Sequence, residues 1–422
     1  MISVRRCADP VTIMGVGVGT GTEEDDPAEA PLAGVRVVEL SMYVQGPVAG
    51  LSLAALGADV VKIERVGHLD QMRTFRSVFG VDFDDRGREW LFASLNRNKR
   101  AVAIDIASEA GRPVFRRLIE RADAFVTNMR TDGLLAHGAD PDSLMAINPG
   151  LVYCRGAGFG LRGPLADDPC QDTVGMAFGG FMDTTSPDGT PNYPPGSMSD
   201  ILTGTNMASA VMAGLLKRAR TGRGCVVGTS QTQALLWLQS QGVGLAASLG
   251  ERMERFSPDT TTNPLFTTYP TADGWIAIAA LRRDQWPDIA RAVGLDHLLA
   301  DPRFQDLFTV IDNAEAFRPL FAEHLATEAT VHWWQLLRQA DIWVAPVNTV
   351  DQLADSEHVK ANDYLVTFDD GFVGPPTPFE VDDWRGARGL AADYGEHTDE
   401  VLAELGFTDD EVIGLKVAGA VW

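Results

Sequence analysis

One carboxylate in this chain stands out for its surroundings. In "PPGSMSDILTGTNMASAVMAGLLKRARTGRG", residues 194–224, Asp200 lies among small and apolar residues with no second acid near it. A carboxylate placed this way can cap a helix by accepting backbone N–H groups. It can also be the nucleophile of a covalent reaction. The local sequence leaves both readings open. Cations form the second group. "NRNKR" carries Arg97, Lys99 and Arg100, and Arg65, Arg73, Arg76 and Arg130 fall at or just beyond predicted strands. Ligands of doubly wound sheets sit outside the carboxyl ends of the strands. These cations can therefore meet a phosphate-bearing ligand, or they can be solvated surface charges.

Other chemistries find no residues. His68, His137, His297, His324, His332, His358 and His397 show no metal-ligand spacing, so no metal is expected. Cys7, Cys154, Cys170 and Cys225 are far apart, without C-x-x-C, which fits a reducing cytoplasm rather than a disulfide framework. No G-x-S-x-G elbow occurs. "GFGLRG" (158–163) matches G-x-G-x-x-G literally. It runs into "PLADDP" rather than a helix, so a Gly-rich loop is the reading. The formal charge of −23 over 422 residues argues against nucleic-acid or anionic-membrane partners. No apolar run reaches spanning length.

Elements must position these groups. Residues 1–31, with "GVGVGTGTEEDDP", read as a disordered leader. From Leu32, "GVRVVEL", "ADVVKIE", "RAVAIDI", "DAFVTNM" and "GLVYCRGA" read as buried strands. Between them lie helical stretches, among them "GPVAGLSLAAL" and "SEAGRPVFRRLIERA". The second has Ser108 as its cap and Val114, Leu118 and Ile119 on one face. Alternation of strand and helix predicts an α/β fold with a doubly wound, Rossmann-like parallel sheet over 32–255. After Asp200, Met207, Val211 and Leu215 mark a long helix ending at Gly222. Residues 256–350 read as a smaller α+β domain. Residues 351–422 form a segment returning to the large domain, with Thr398 capping a final helix.

The ordered set of "GVRVVELSMYVQGPVAGLSLAALGADVVKIER", "LNRNKRAVAIDI", "RADAFVTNMRTDGL", "RTGRG", "ADGWIAIAA", "APVNTV" and "GEHTDEVLAELG" resembles the class III (CaiB/BaiF-type) CoA-transferases over residues 32–422. The resemblance implies that Asp200 is the nucleophile and that CoA passes from an acyl-CoA to a carboxylic acid through an aspartyl-CoA thioester. CoA then enters as acyl-CoA substrate, with no permanently bound cofactor. The resemblance implies Arg65, Arg73, Lys99, Ile104, Ala107, Asn128 and Arg130 for CoA, and Gln45, Gln171 and Asp172 for the acyl group. It also implies backbone amides near a Gly-rich turn as oxyanion donors, and an interlocked homodimer. Ser199, Gly204 and Ala208 are expected to leave room for the pantetheine arm. A basic residue that the family often has is Ala136 here, so one phosphate contact is expected to be either absent or supplied by Arg97 or Arg100. Two alternatives share the scaffold. A 2-methylacyl-CoA racemase needs a base where Gln171 stands, and glutamine takes no proton. A catalytically silent acyl-CoA-binding protein is separated from both by a turnover assay.

Overall fold

The structure, a computed structural model, describes residues 27–422 except 79, 83–88, 187, 254, 383, 385, 387 and 388. The leader expected over 1–31 thus falls mainly outside the described residues. Its last part is folded: Pro27–Glu29 forms a short turn, and Ala30 is buried against Leu56 and Trp384.

Six parallel strands make the large sheet: β1 (Arg36–Leu40), β2 (Asp59–Glu64), β3 (Lys99–Ala103), β4 (Ala124–Thr127), β5 (Val152–Ala157) and β6 (Cys225–Ser230). Their spatial order is β3-β2-β1-β4-β5-β6. The strands are short, β-branched and buried on both faces, as a sheet covered by crossover helices requires. Successive strands are added outward in one direction from β1 to β3 and in the other from β4 to β6, so the strand order reverses between β1 and β4 and a crevice opens at their carboxyl ends.

One face is covered by α1 (Gln45–Ala55) and the other by α2 (Gly111–Arg121), whose buried Val114, Leu118 and Ile119 are those the sequence pattern selects. Ser108 is not the N-cap of α2, but its hydroxyl accepts from the Gly111 N–H at 2.9 Å. Next come α3 (Asp172–Phe178), α4 (Met198–Thr221), α5 (Gln231–Leu238) and α6 (Ser240–Leu249). Met207 and Val211 of α4 pack with α1 and the sheet, and Gly222 ends α4 at φ 67°. No helix opens after "GFGLRG".

The smaller domain has three antiparallel strands, β7 (Phe266–Pro270), β8 (Trp275–Ala279) and β9 (Trp343–Pro346), in the order β9-β8-β7. Helices α7 (Gln285–Ala292), α8 (Ala314–Leu325) and α9 (Thr330–Gln339) complete it around Trp286, Phe304, Phe317 and Phe321.

After the smaller domain the chain rejoins the large sheet. Trp384 donates to the Ala55 carbonyl at 2.9 Å, and the Asn98 N–H donates to the Leu390 carbonyl at 3.0 Å. The Trp422 N–H donates to the Ala103 carbonyl at 3.3 Å. Thr398 is not a cap. It is the first residue of α10 (Thr398–Glu404), and its hydroxyl accepts from the Ala103 N–H at 3.1 Å, tying the helix to β3. A further helix, α11 (Asp409–Val417), follows, so α10 is not the last.

Candidate active site

An open cavity of about 690 Å³ lies at the carboxyl ends of β1, β4, β5 and β6. Met42, Tyr43 and Gln45 enter it from the β1–α1 connection, Asn128 and Arg130 from beyond β4, and Arg155 and Gly158 from β5. Asp200 and Gln231 also line it, and Gln171 borders it just before α3.

Asp200 is the third residue of α4, whose N-cap is Ser197 in the left-handed region at φ 53°. It is therefore not the cap that the local sequence allowed. Only 6% of it is exposed. Burial pushes its carboxyl up to about 7, the Gln231 bond opposes the rise, and the Asp172 charge adds to it. Its Oδ1 accepts from Gln231 Nε2 at 2.5 Å. Among the described residues no cation pairs with it, which leaves its charge available to an electrophile.

Asp172 is not among the residues lining the cavity. Its Oδ1 accepts from the Ser199 hydroxyl at 2.6 Å and from the Asp200 N–H at 3.0 Å, and its Oδ2 accepts from the Tyr193 hydroxyl at 2.8 Å. It fixes the first turn of α4, and with it the Asp200 backbone. Cys170 lies beside this pair, and burial pushes its thiol up to about 11, so it is no thiolate.

The small residues of α4 do not make room for a pantetheine arm. A Cβ on Gly204 would stand 2.5 Å from the Gln45 carbonyl oxygen and 2.6 Å from the Val48 Cβ. Ser199 and Ala208 are buried. Small size here lets α4 and α1 approach closely. Gln45 is set by that contact, and its Nε2 donates to the Ala157 carbonyl at 3.1 Å.

The expected CoA residues divide into two groups. Arg65, at the carboxyl end of β2, has a side chain 55% exposed, with Nε 3.4 Å from Asp105. Ala107 is half-buried beside it, and its N–H donates to Asp105 at 3.2 Å. Ile104, at the end of β3, is buried. Arg130 is exposed at the cavity. From β2, which Arg65 follows, to β6, which Gln231 follows, is four strand spacings, roughly 19 Å.

Arg73 and Lys99 belong to the fold instead. Arg73 is buried, bonded through Nη2 to Glu64 at 2.8 Å and through Nη1 to Glu89 at 2.6 Å, and stacked on Phe92. Lys99 is buried with Nζ 2.8 Å from Glu39 and 2.8 Å from the Pro47 carbonyl. Lys62 meets the same Glu39 at 3.2 Å and Asp70 at 3.0 Å. Together they form a four-charge cluster beneath residues 41–47. Lys62 also donates to the Ser41 carbonyl, and Asp70 accepts from the Tyr43 N–H. The Asn128 amide is spent on the same loop, accepting from the Met42 N–H at 3.1 Å and donating to its carbonyl at 2.8 Å. Asn128 therefore straps the β1 connection to β4.

Neither expected replacement for the missing cation reaches the cavity. Arg97 is buried between Phe368 and Phe372, and Arg100 pairs with Asp59, Glu400 and Glu404. Arg155, which sequence reasoning passed over, lines the cavity. Its signal was a charge within an otherwise apolar strand. Gln231 was also missed, and "TSQTQ" carries no local mark of it.

Among the described residues no group of three His, Cys, Asp or Glu stands close enough to hold a metal ion. No helix is long and apolar enough to cross a membrane, again among the described residues.

Comparison with known proteins now decides the family. The profile of CoA-transferase family III matches residues 32–398. The chain belongs to CoA-transferase family III. It is 30% identical over 398 residues to the (R)-2-hydroxy-4-methylpentanoate CoA-transferase of Clostridioides difficile, covering 91% of this chain and 98% of that one. It is 28% identical to the human succinyl-CoA:glutarate CoA-transferase, covering 96% and 94%. A solved CaiB/BaiF-family protein from Brucella suis superposes with a TM-score of 0.79 at 30% identity, over 89% of this chain and 99% of that one. Family membership gives CoA transfer as the general activity, with an acyl-CoA and a carboxylic acid as its substrate class.

Proposed function

We propose that this family III chain transfers CoA from an acyl-CoA to a free carboxylic acid through covalent intermediates on Asp200. The observation carrying this reading is a cavity-lining carboxylate that is buried, unpaired with any cation among the described residues, and backed by Gln231 and Asp172. The Asp200 carboxylate attacks the thioester carbonyl and releases CoA thiolate, giving a mixed anhydride. The thiolate attacks the Asp200 carbonyl, the donor acid leaves, and an aspartyl-CoA thioester remains. The acceptor acid then enters, and the same steps run in reverse. Arg65, Arg130 and Arg155 would meet the CoA phosphates as charge-assisted donors. Gln45 and Gln171 would border the acyl group. Burial of Asp200 keeps water from intermediates that hydrolyse.

The described residues lining the cavity include no histidine, and Gln171 stands where a racemase of this scaffold needs its first base, so a two-base α-proton mechanism is the less supported reading. A homodimer belongs to the same proposal. It is supported by the apolar side chains that α5, α6 and the following turn leave exposed, among them Trp237, Leu245, Leu249 and Phe256.

The test is trapping. The protein is incubated with acetyl-, succinyl- and isobutyryl-CoA, quenched with hydroxylamine, digested and weighed. A hydroxamate on Asp200 is the expected result. Intact CoA binding with no adduct from any donor would reduce the chain to a silent binder.

A further inference from the structure

We propose that the side-chain amide of Gln231 is a catalytic oxyanion donor, acting on the additions that occur at Cγ of Asp200. The inference rests on the reading of Asp200 as nucleophile. Gln231 opens α5 directly after β6 and is 2% exposed. Its place is cut to shape, because a Cβ on Gly175 would stand 2.0 Å from Oε1. The Cys170 thiol donates to Oε1 at 3.0 Å. The amide oxygen is thereby turned to the thiol and the amide nitrogen to the carboxylate, where Nε2 holds Oδ1. Flipped, the amide would set oxygen against carboxylate oxygen. Oδ1 is thus the held oxygen, and Oδ2 is free to attack.

Following the electrons shows which steps this serves. In the first addition an Oδ2 lone pair bonds to the acyl carbon, and the C–S bond breaks with its pair leaving on CoA thiolate. The negative charge of that addition develops on the substrate's oxygen. In the second, the thiolate bonds to Cγ and the π pair of Cγ=Oδ1 moves onto Oδ1. Collapse restores that carbonyl and breaks Cγ–Oδ2, so the donor acid leaves as a carboxylate bearing the former Oδ2. When the acceptor carboxylate attacks the aspartyl-CoA thioester, charge gathers on Oδ1 again and thiolate is expelled. No net proton moves. Both additions at Cγ charge the atom that Nε2 already touches. A pre-set donor at such an oxygen is worth roughly 10²–10³ in rate.

Gln231→Met keeps bulk and removes the donor. Wild type and variant are mixed with each acyl-CoA of the trapping panel, quenched in acid on the millisecond scale and weighed intact. In wild type the CoA adduct on Asp200 dominates. In Gln231→Met the acyl adduct accumulates, the CoA adduct falls at least tenfold, and kcat falls about 100-fold with KM for acyl-CoA nearly unchanged. The acid limb of kcat/KM also moves to higher pH, since a donor to the ionised carboxylate is gone. The titratable groups facing Asp200 are Asp172 on α3, Cys170 just before it and Tyr193, and the substitution leaves all three in place. Should Gln231→Met fail to fold, Cys170→Ala frees the amide to flip and gives a smaller change in the same direction, which Cys170→Ser reverses. A folded Gln231→Met enzyme that forms the CoA adduct at the wild-type rate overturns the proposal. So does an equal fall of both adducts, which would mark a structural role. Neither adduct in wild type would instead refute Asp200 as nucleophile.

Discussion

Asp200 links protonation to both rate and stability. Its carboxyl is raised to about 7 in the folded state, against an ordinary 3.8. On the proposed mechanism the ionised form is the nucleophile, so kcat/KM should fall tenfold per pH step below 7, which a pH–rate profile checks. Between about pH 4 and 7 the folded state keeps a proton that the unfolded state has lost. Stability contributed by this group therefore falls as pH rises through that window. The full penalty, on the order of 4 kcal/mol at most, stands above pH 7. Asp200→Asn should abolish turnover yet raise Tm at pH 8, with no gain at pH 4. Calorimetry at both pH values checks this, and an equal effect at both would contradict it. Asp200 was legible in the sequence because a lone acid among small residues is a visible anomaly. Gln231 was not, since its meaning comes from a carboxylate 31 positions away and from a glycine on a third helix. Asp172 was visible, but its partners Ser199 and Tyr193 were not, so the sequence left an active-site role and a structural hydrogen-bonding role both open to it.

Among elements, the decisive contact is α4 against α1, where Gly204 meets Gln45 and Val48. Gly204→Ala should force the helices apart, costing about 1–3 kcal/mol and lowering activity through displaced Gln45. Denaturant unfolding and kcat measure the two effects. A fully active and stable Gly204→Ala would mean the small residues do provide free space. The strands themselves were readable from short β-branched runs. What the runs conceal is lateral register. Glu39 pairs across to Lys62 in the β1–β2 register, and Lys99 of β3 reaches the same carboxylate. A cation beside a predicted strand end therefore looks like a ligand contact until the neighbouring strand supplies its acid. Arg73 misled for the same reason, with Glu64 and Glu89 as its partners.

At the scale of the molecule, the α/β class, the parallel sheet and the smaller second domain were all legible, because strand–helix alternation allows few topologies. Which surfaces would meet a second copy in the proposed dimer was not, as helical periodicity does not tell a core face from an interface. Trp237 is 78% exposed and Leu249 67%. Sedimentation should show a dimer, and Trp237→Glu combined with Leu249→Glu should shift it toward monomer. A monomeric wild type would remove the dimer from the proposal. The return of the chain to β3 has a further consequence, during synthesis. Arg100 awaits Glu404, and Ala103 awaits Thr398, partners made some 300 residues later. Until they emerge, β3 is an unpaired strand edge beside a finished neighbour, an invitation to pair with the wrong chain. Contacts so distant in sequence also form slowly. For this protein the vulnerable moment in the cell is expected after the smaller domain has been made and before His397, Thr398 and Trp422 reach β3.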